Sequence, residues 1–187
     1  MDLKLFLSGW LLLIAAFAQS HGEQAPFGIV YGAKAALNVV APEGWVLDNG
    51  AGLDEGLPCV LYLKEEAWAT ADPLMYVKIA STEFEDAEAF AKKAITEMKK
   101  QRGDYRVKRI ETGKTRDGRA WFVNEYSPSK SYPRYERVAY IQLPKAVAYL
   151  VYSGDDQTRF RKHQVALQKI LKSAAYLEVK HEKTERE

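Results

Sequence analysis

From Tyr105 to Tyr152 the chain runs as four extended segments separated by turns, and this run constrains the fold more than any other feature. Tyr105–Glu111 leads to Arg116-Asp117-Gly118, a strong hairpin signal, because glycine accepts the positive φ that a tight reversal demands. Ala120–Tyr126 runs out, and Tyr135–Leu143 comes back after a longer connection from Ser127 to Arg134. Pro144-Lys145 then reverses the chain into Val147–Tyr152. Consecutive hairpin partners imply an antiparallel sheet.

Amphipathic helices flank this meander. Before it, Phe84, Ala87, Ala91, Ala94, Ile95 and Met98 share one face at helical period, which predicts a helix over Thr82–Arg102. Thr82 and Glu85 match a capping box. Acids crowd the start of this helix and bases its end, as the helix dipole favours, and Gly103 stops it. After the meander, Phe160, His163, Gln164, Leu167, Ile170, Leu171 and Ala174 share a face, with Asp155 or Asp156 available as the cap. Upstream, Ala35–Ala41 alternates weakly and ends at the turn Pro42-Glu43-Gly44-Trp45. Cys59–Leu63 and Leu74–Ala80 read as strands, with Met75, Val77 and Ile79 pointing one way and Tyr76 and Lys78 the other. Each helix must bury its apolar stripe against the sheet. The expected fold is therefore α+β, an antiparallel sheet of about six or seven strands with two main helices packed on it.

The N-terminus reads as an export signal. Leu5–Ala18 is a 14-residue apolar run broken only by Ser8 and Gly9, behind Lys4. Ala16-Phe17-Ala18 offers small residues where a signal peptidase cuts, which places cleavage before Gln19. A spanning helix needs about 20 apolar residues, so no transmembrane anchor is expected after cleavage; an uncleaved anchor is the alternative. No cysteine lies near the cleavage point, which argues against a bacterial lipid anchor. The expected organisation is a signal peptide over 1–18, a polar leader and first strand lead-in over 19–34, one α+β domain over 35–177 and a charged flexible tail over 178–187. The expected location is periplasmic or secreted. The mature chain, roughly 160 residues, is large enough to bury a core without metal or disulfide.

This element order resembles the PsbP-like fold, an α/β/α sandwich shared by the extrinsic photosystem II protein, a Ran-binding nuclear transport factor and bacterial envelope proteins of the DcrB type. The resemblance covers about Ala35–Leu177. It rests on the early strand ending in Pro42-Glu43-Gly44-Trp45, the single mid-chain helix and the meander closing on a C-terminal helix. It implies a non-catalytic accessory or partner-binding role. It implies no photosystem partner, because nothing here matches a docking residue of that protein, and the missing lipidation cysteine departs from envelope members that are lipoproteins.

Chemistry-bearing residues are sparse. The net charge of +2 is too small to argue for nucleic acid or an anionic surface. Cys59, the single cysteine, stands in an apolar strand and reads as a buried structural thiol. Among three histidines only His163 falls in expected folded structure, and no zinc spacing occurs. The acids and glycines of Asp48–Gly56 fail the EF-hand pattern and read as a solvated turn. No nucleophile elbow, dinucleotide or phosphate-loop motif is present, and no cofactor is expected. The stretch Lys130–Arg137 stands out. Tyr132, Arg134, Tyr135 and Arg137 put aromatic and guanidinium groups near a long hairpin tip, and Trp68 lies in the Lys64–Pro73 connection. Tyr, Trp and Arg are enriched at binding hot spots, so these five are the candidate partner-binding residues. The plainer alternative makes Tyr135 and Arg137 strand residues and folds Trp68 back onto the core.

The first functional expectation is an exported, non-catalytic accessory or binding protein that docks a protein partner. A carrier of a small or lipidic ligand between sheet and helix is the alternative, suggested by Trp45, Tyr62 and Trp121. An enzyme with an unfamiliar site is the third.

Overall fold

In the computed structural model, residues 27–80, 84 and 86–179 are described. The expected signal peptide, the leader to Pro26, Thr82 and Glu85 of the expected capping box, and the tail from Lys180 lie outside them. The chain forms β1 (Phe27–Tyr31), β2 (Ala36–Val40), β3 (Trp45–Asp48), β4 (Val60–Leu63), β5 (Leu74–Ile79), α1 (Ala87–Arg102), β6 (Val107–Lys114), β7 (Ala120–Tyr126), β8 (Tyr135–Leu143), β9 (Ala146–Gly154), α2 (Gln157–His163), α3 (Val165–Ser173) and β10 (Ala175–Leu177). Seven strands make one antiparallel sheet in the order β3-β4-β5-β9-β8-β7-β6. The meander β6-β7-β8-β9 is as the turns predict, with Gly118 at φ +85° in its first reversal.

Strand alternation divides the core in two. On β8, Ala139, Ile141 and Leu143 enter a cluster with Met75, Val77, Trp121, Phe160, Leu167 and Ile170, whereas Val138 and Tyr140 enter one beneath α1. Met75 and Val77 face the first cluster and Tyr76 the second, as their spacing requires. α1 buries Ala87 and Ala91 and lays Phe90 against Tyr140 and Tyr149 at 6.0 and 5.3 Å between ring centres. Asp86 caps α1 by accepting from the Ala89 N–H at 2.6 Å. The Ala87 N–H donates to the Gln142 side chain on β8 at 2.7 Å, which fixes the start of α1 to the sheet. The other end is capped from outside the helix. Ser129 and Ser131 both donate hydroxyl hydrogen bonds to the Arg102 carbonyl, and helix ends need such partners for their unpaired carbonyls.

Three features differ from the sequence expectation. α1 begins at Ala87 under the Asp86 cap rather than at Thr82, which leaves Phe84 outside the helix. β1, β2 and β10 form a separate three-stranded antiparallel sheet on the face opposite α1, with α3 packed beside β2. β1 carries glycine at 28 and is followed by Gly32, and β10 is three residues long; neither has enough alternation to announce a strand. The last helix is also two: α2 ends at His163 and α3 begins at Val165, with Gln164 capping both. The shared apolar face survives the break, because Phe160, Leu167, Ile170 and Leu171 are all buried in one cluster. Each such side chain contributes roughly 1.5–3 kcal/mol on burial.

Candidate functional site

The connection between β7 and β8 lies across the C-terminal end of α1. Pinned there by Ser129 and Ser131, it brings Tyr132 and Arg134 over a part of the α1 side of the sheet that the helix itself does not cover. The connection between β4 and β5 reaches the same place and carries Trp68, whose indole N–H points to Glu55 at 3.3 Å and whose ring lies 6.5 Å from that of Tyr62. Trp68, Tyr132 and Arg134, with Leu74 and Tyr76 as a floor, line a cleft of about 290 Å³. The three residues come from segments more than 60 positions apart, and sheet order alone makes them neighbours, because β9 inserts between β5 and β8.

The side chains of Tyr132 and Arg134 are held by hydrogen bonds, with one guanidinium nitrogen left over. Arg134 donates through Nε to Ser153 Oγ at 3.0 Å and through Nη1 to Asp155 at 3.3 Å; its Nη2 has no hydrogen-bond partner and sits 3.8 Å from Asp72. Asp72 in turn accepts the N–H groups of Asp155 and Asp156, fixing the start of α2. Tyr132 donates to Glu136 at 3.1 Å, and the Arg102 guanidinium lies 3.7 Å above its ring. Burial, then the charge of Glu136, pushes the Tyr132 hydroxyl pKa up, so it stays a donor. Tyr76 is shifted the same way and more strongly, by burial first and Glu136 second. The result is a half-buried aromatic wall with fixed donors.

Tyr135 and Arg137 are elsewhere. Consecutive strand residues alternate faces, so Glu136 shares the cleft side with Arg134 while Tyr135 and Arg137 turn to the opposite one. There Tyr135 lies 5.8 Å from Phe160, and Arg137 donates twice to Glu125 at 2.9 and 2.6 Å. They line a second cleft of about 390 Å³ beside α2, with Phe160 and Gln164. The five candidates therefore form a group of three and a group of two, on opposite faces. Arg102, Tyr76, Glu136 and Ser153 belong to the first site and escaped the sequence reading. Glu136 could have been placed by its register with Val138 and Tyr140, but nothing local marks an acidic strand residue as buried.

The remaining chemistry is structural. Asp48 accepts the N–H groups of Ala51 and Gly50, which hold its carboxyl below the usual range, and it serves a turn. Among the described residues no group of three His, Cys, Asp or Glu side chains could hold a metal. Cys59 is 0% exposed, and burial, aided by Asp48, pushes its thiol pKa up to about 12. Trp45 and Trp121 are core residues. No described helix is long and apolar enough to cross a membrane.

No protein-family model matches the chain, and no curated protein matches it in sequence. Among solved structures it is similar to the solution structure of cyanobacterial PsbP (CyanoP) from Synechocystis sp. PCC 6803, with a TM-score of 0.49 at 16% identity over 75% of this chain and 86% of that one.

Proposed function

We propose that this chain is an exported, non-catalytic binding module that docks a protein partner at the Trp68–Tyr132–Arg134 cleft. The observation that carries this reading is the convergence of those three side chains, two aromatic and one guanidinium, on one preformed depression. Tyr, Trp and Arg dominate binding energy because each buries large area and still satisfies a polar end. Tyr132 and Arg134 are set in advance by Glu136, Ser153 and Asp155, and Trp68 by Glu55, so little order remains to be imposed on binding. The apolar run Leu5–Ala18 supports export.

A ligand carrier has less support. Of the three aromatics that suggested it, Trp45 and Trp121 use their faces inside the core, with Trp45 edge-on against Tyr152, and half-buried Tyr62 lies beside Trp68. An enzyme also has less support, since Glu136 is already bonded to Arg102 and Tyr132. A photo-crosslinking residue at Tyr132, compared with one at exposed Lys169 on α3, tests docking in the native compartment. A discrete adduct at Tyr132 that is absent at Lys169 and lost in the Trp68→Ala background is expected. Equal labelling at both positions, unaffected by Trp68→Ala, overturns the reading.

A further inference from the structure

Four strands end the two sheets, and three of them are guarded against pairing with another chain. β6 carries Lys108, Arg109, Glu111 and Lys114 and a bulge between Arg109 and Glu111. β3 has four residues and β10 three. Charge, bulges and shortness are the usual protections of an edge. β1 has none of them: Phe-Gly-Ile-Val-Tyr carries no charge, no proline and no bulge, and its one strand partner among the described residues is β2. Phe27 and Tyr31, 62% and 67% exposed, stand on it with half-buried Ile29 between them.

The hydrogen-bond phase of β1 follows from its hairpin. The Gly32 N–H donates to the Ala35 carbonyl at 2.8 Å, closing the turn to β2. Hydrogen-bonded and non-bonded pairs alternate along an antiparallel ladder. From that closure, Val30–Leu37 and Gly28–Val39 are the bonded pairs, and Tyr31–Ala36, Ile29–Asn38 and Phe27–Val40 are not. Phe27, Ile29 and Tyr31 therefore direct their N–H and C=O groups away from β2, toward the open edge. Their side chains face outward too. Val30 is 0% exposed on the inner face, and a Cβ on Gly28 would lie 2.4 Å from Leu47 of β3.

We propose that β1 is a self-association edge, pairing antiparallel with β1 of a second copy about a two-fold axis at Ile29. The segment is self-complementary in that register. Ile29 meets Ile29, and Phe27 of each copy meets Tyr31 of the other, so every outward N–H and C=O of the three residues finds its counterpart. The aromatic rings align in cross-strand pairs on one face, an arrangement that stabilises antiparallel ladders. The segment has no charge, so bringing two identical copies together opposes no like charges within it. A second copy is the occupant whose sequence matches this edge by symmetry, as an isologous interface requires.

Sedimentation of the purified protein across a concentration series, with three variants, tests the proposal. Ile29→Pro removes an N–H that faces away from β2, a position where edge strands tolerate proline. Ile29→Cys places two thiols on the two-fold axis, where facing Cα atoms about 5.5 Å apart can be bridged. Phe27→Cys places them roughly 13 Å out of register along the strand. A concentration-dependent dimer is expected, weakened at least ~10-fold by Ile29→Pro. The Ile29→Cys variant is expected to cross-link on mild oxidation and Phe27→Cys not to; these two arms decide the matter if Ile29→Pro unfolds. A wild-type monomer at every concentration overturns the proposal, as it would if an extended segment of another protein, or of this chain, occupied the edge instead. So does a dimer that cross-links equally at both positions.

Discussion

Arg102, the last residue of α1, donates through Nη1 to Glu136 Oε1 at 2.9 Å, and Glu136, on β8, is 3% exposed. The Tyr132 hydroxyl reaches the other carboxylate oxygen at 3.1 Å. One buried carboxylate thus joins a helix end, a strand and the loop that carries the candidate docking residues. Removing one member of a buried pair leaves a charge without compensation, which costs far more than removing both. Arg102→Met is expected to destabilise the fold by about 3 kcal/mol. The double variant Arg102→Met/Glu136→Gln should lose less than the sum of the single changes. Urea unfolding of the four-member cycle measures this coupling, and strict additivity would show the pair to be energetically unlinked.

His163 predicts a pH dependence. It lies at the end of α2 with its ring 6.3 Å from Trp45 at 78°. Burial, then Lys162 and Arg159, hold its pKa below the ordinary 6.5. In the unfolded chain it takes a proton near that value, whereas in the folded chain it resists one. Between the two pKa values the unfolded state binds more protons, so stability rises with pH. The contribution of the neutral ring is therefore complete above about pH 7 and is lost as pH falls through 6.5 toward the folded value. Unfolding midpoints from about pH 7.5 to 5 should decline in the wild type and flatten in His163→Gln. The depressed carboxyls of Asp48 and Asp117 lose their contributions only below that window.

Cys59 should be chemically silent in the folded protein. Its thiol is fully buried with a pKa pushed up to about 12, so almost no thiolate exists at neutral pH. A thiol reagent at neutral pH is expected to label it only after urea unfolding. Cys59→Ala should be tolerated better than Cys59→Ser, which buries a hydroxyl and costs about 1–3 kcal/mol more if it finds no partner. Fast labelling in the native state would contradict this placement.

The contrast between Tyr132 and Tyr135 shows how much of the site was legible in sequence. Period-two alternation is local, so it separates Tyr135 and Arg137 from Arg134 without any structure. The meeting of Trp68 with Tyr132 is not local: it exists because β9 pairs with both β5 and β8, and no residue near Trp68 encodes that order. The same division holds for the fold. Arg116-Asp117-Gly118 states its hairpin in turn chemistry, and Gly118 takes the positive φ it was expected to need. β10 is held to β2 by its neighbours; the Tyr176 N–H, for example, donates to Asp117 at 3.1 Å, so three residues form a strand that composition alone would not nominate.

Gly113 and Trp121 are direct cross-strand partners on β6 and β7, and the indole lies over the glycine. A Cβ at position 113 would come within 2.3 Å of the Trp121 ring, closer than real atoms approach. Trp121 is 3% exposed and embedded in the larger core cluster, so it has little room to withdraw. The constraint is steric: the indole takes the volume that a side chain would fill, as aromatic residues do beside strand glycines. Gly113→Ala is therefore expected to destabilise by about 1–3 kcal/mol through overpacking. Gly113→Ala/Trp121→Leu should recover part of that loss relative to Trp121→Leu alone, since the smaller ring-free side chain vacates the contested space. Thermal unfolding of the three variants measures the effect. A neutral Gly113→Ala would mean that Trp121 repacks freely and that this end of the sheet is less tightly specified than its burial implies.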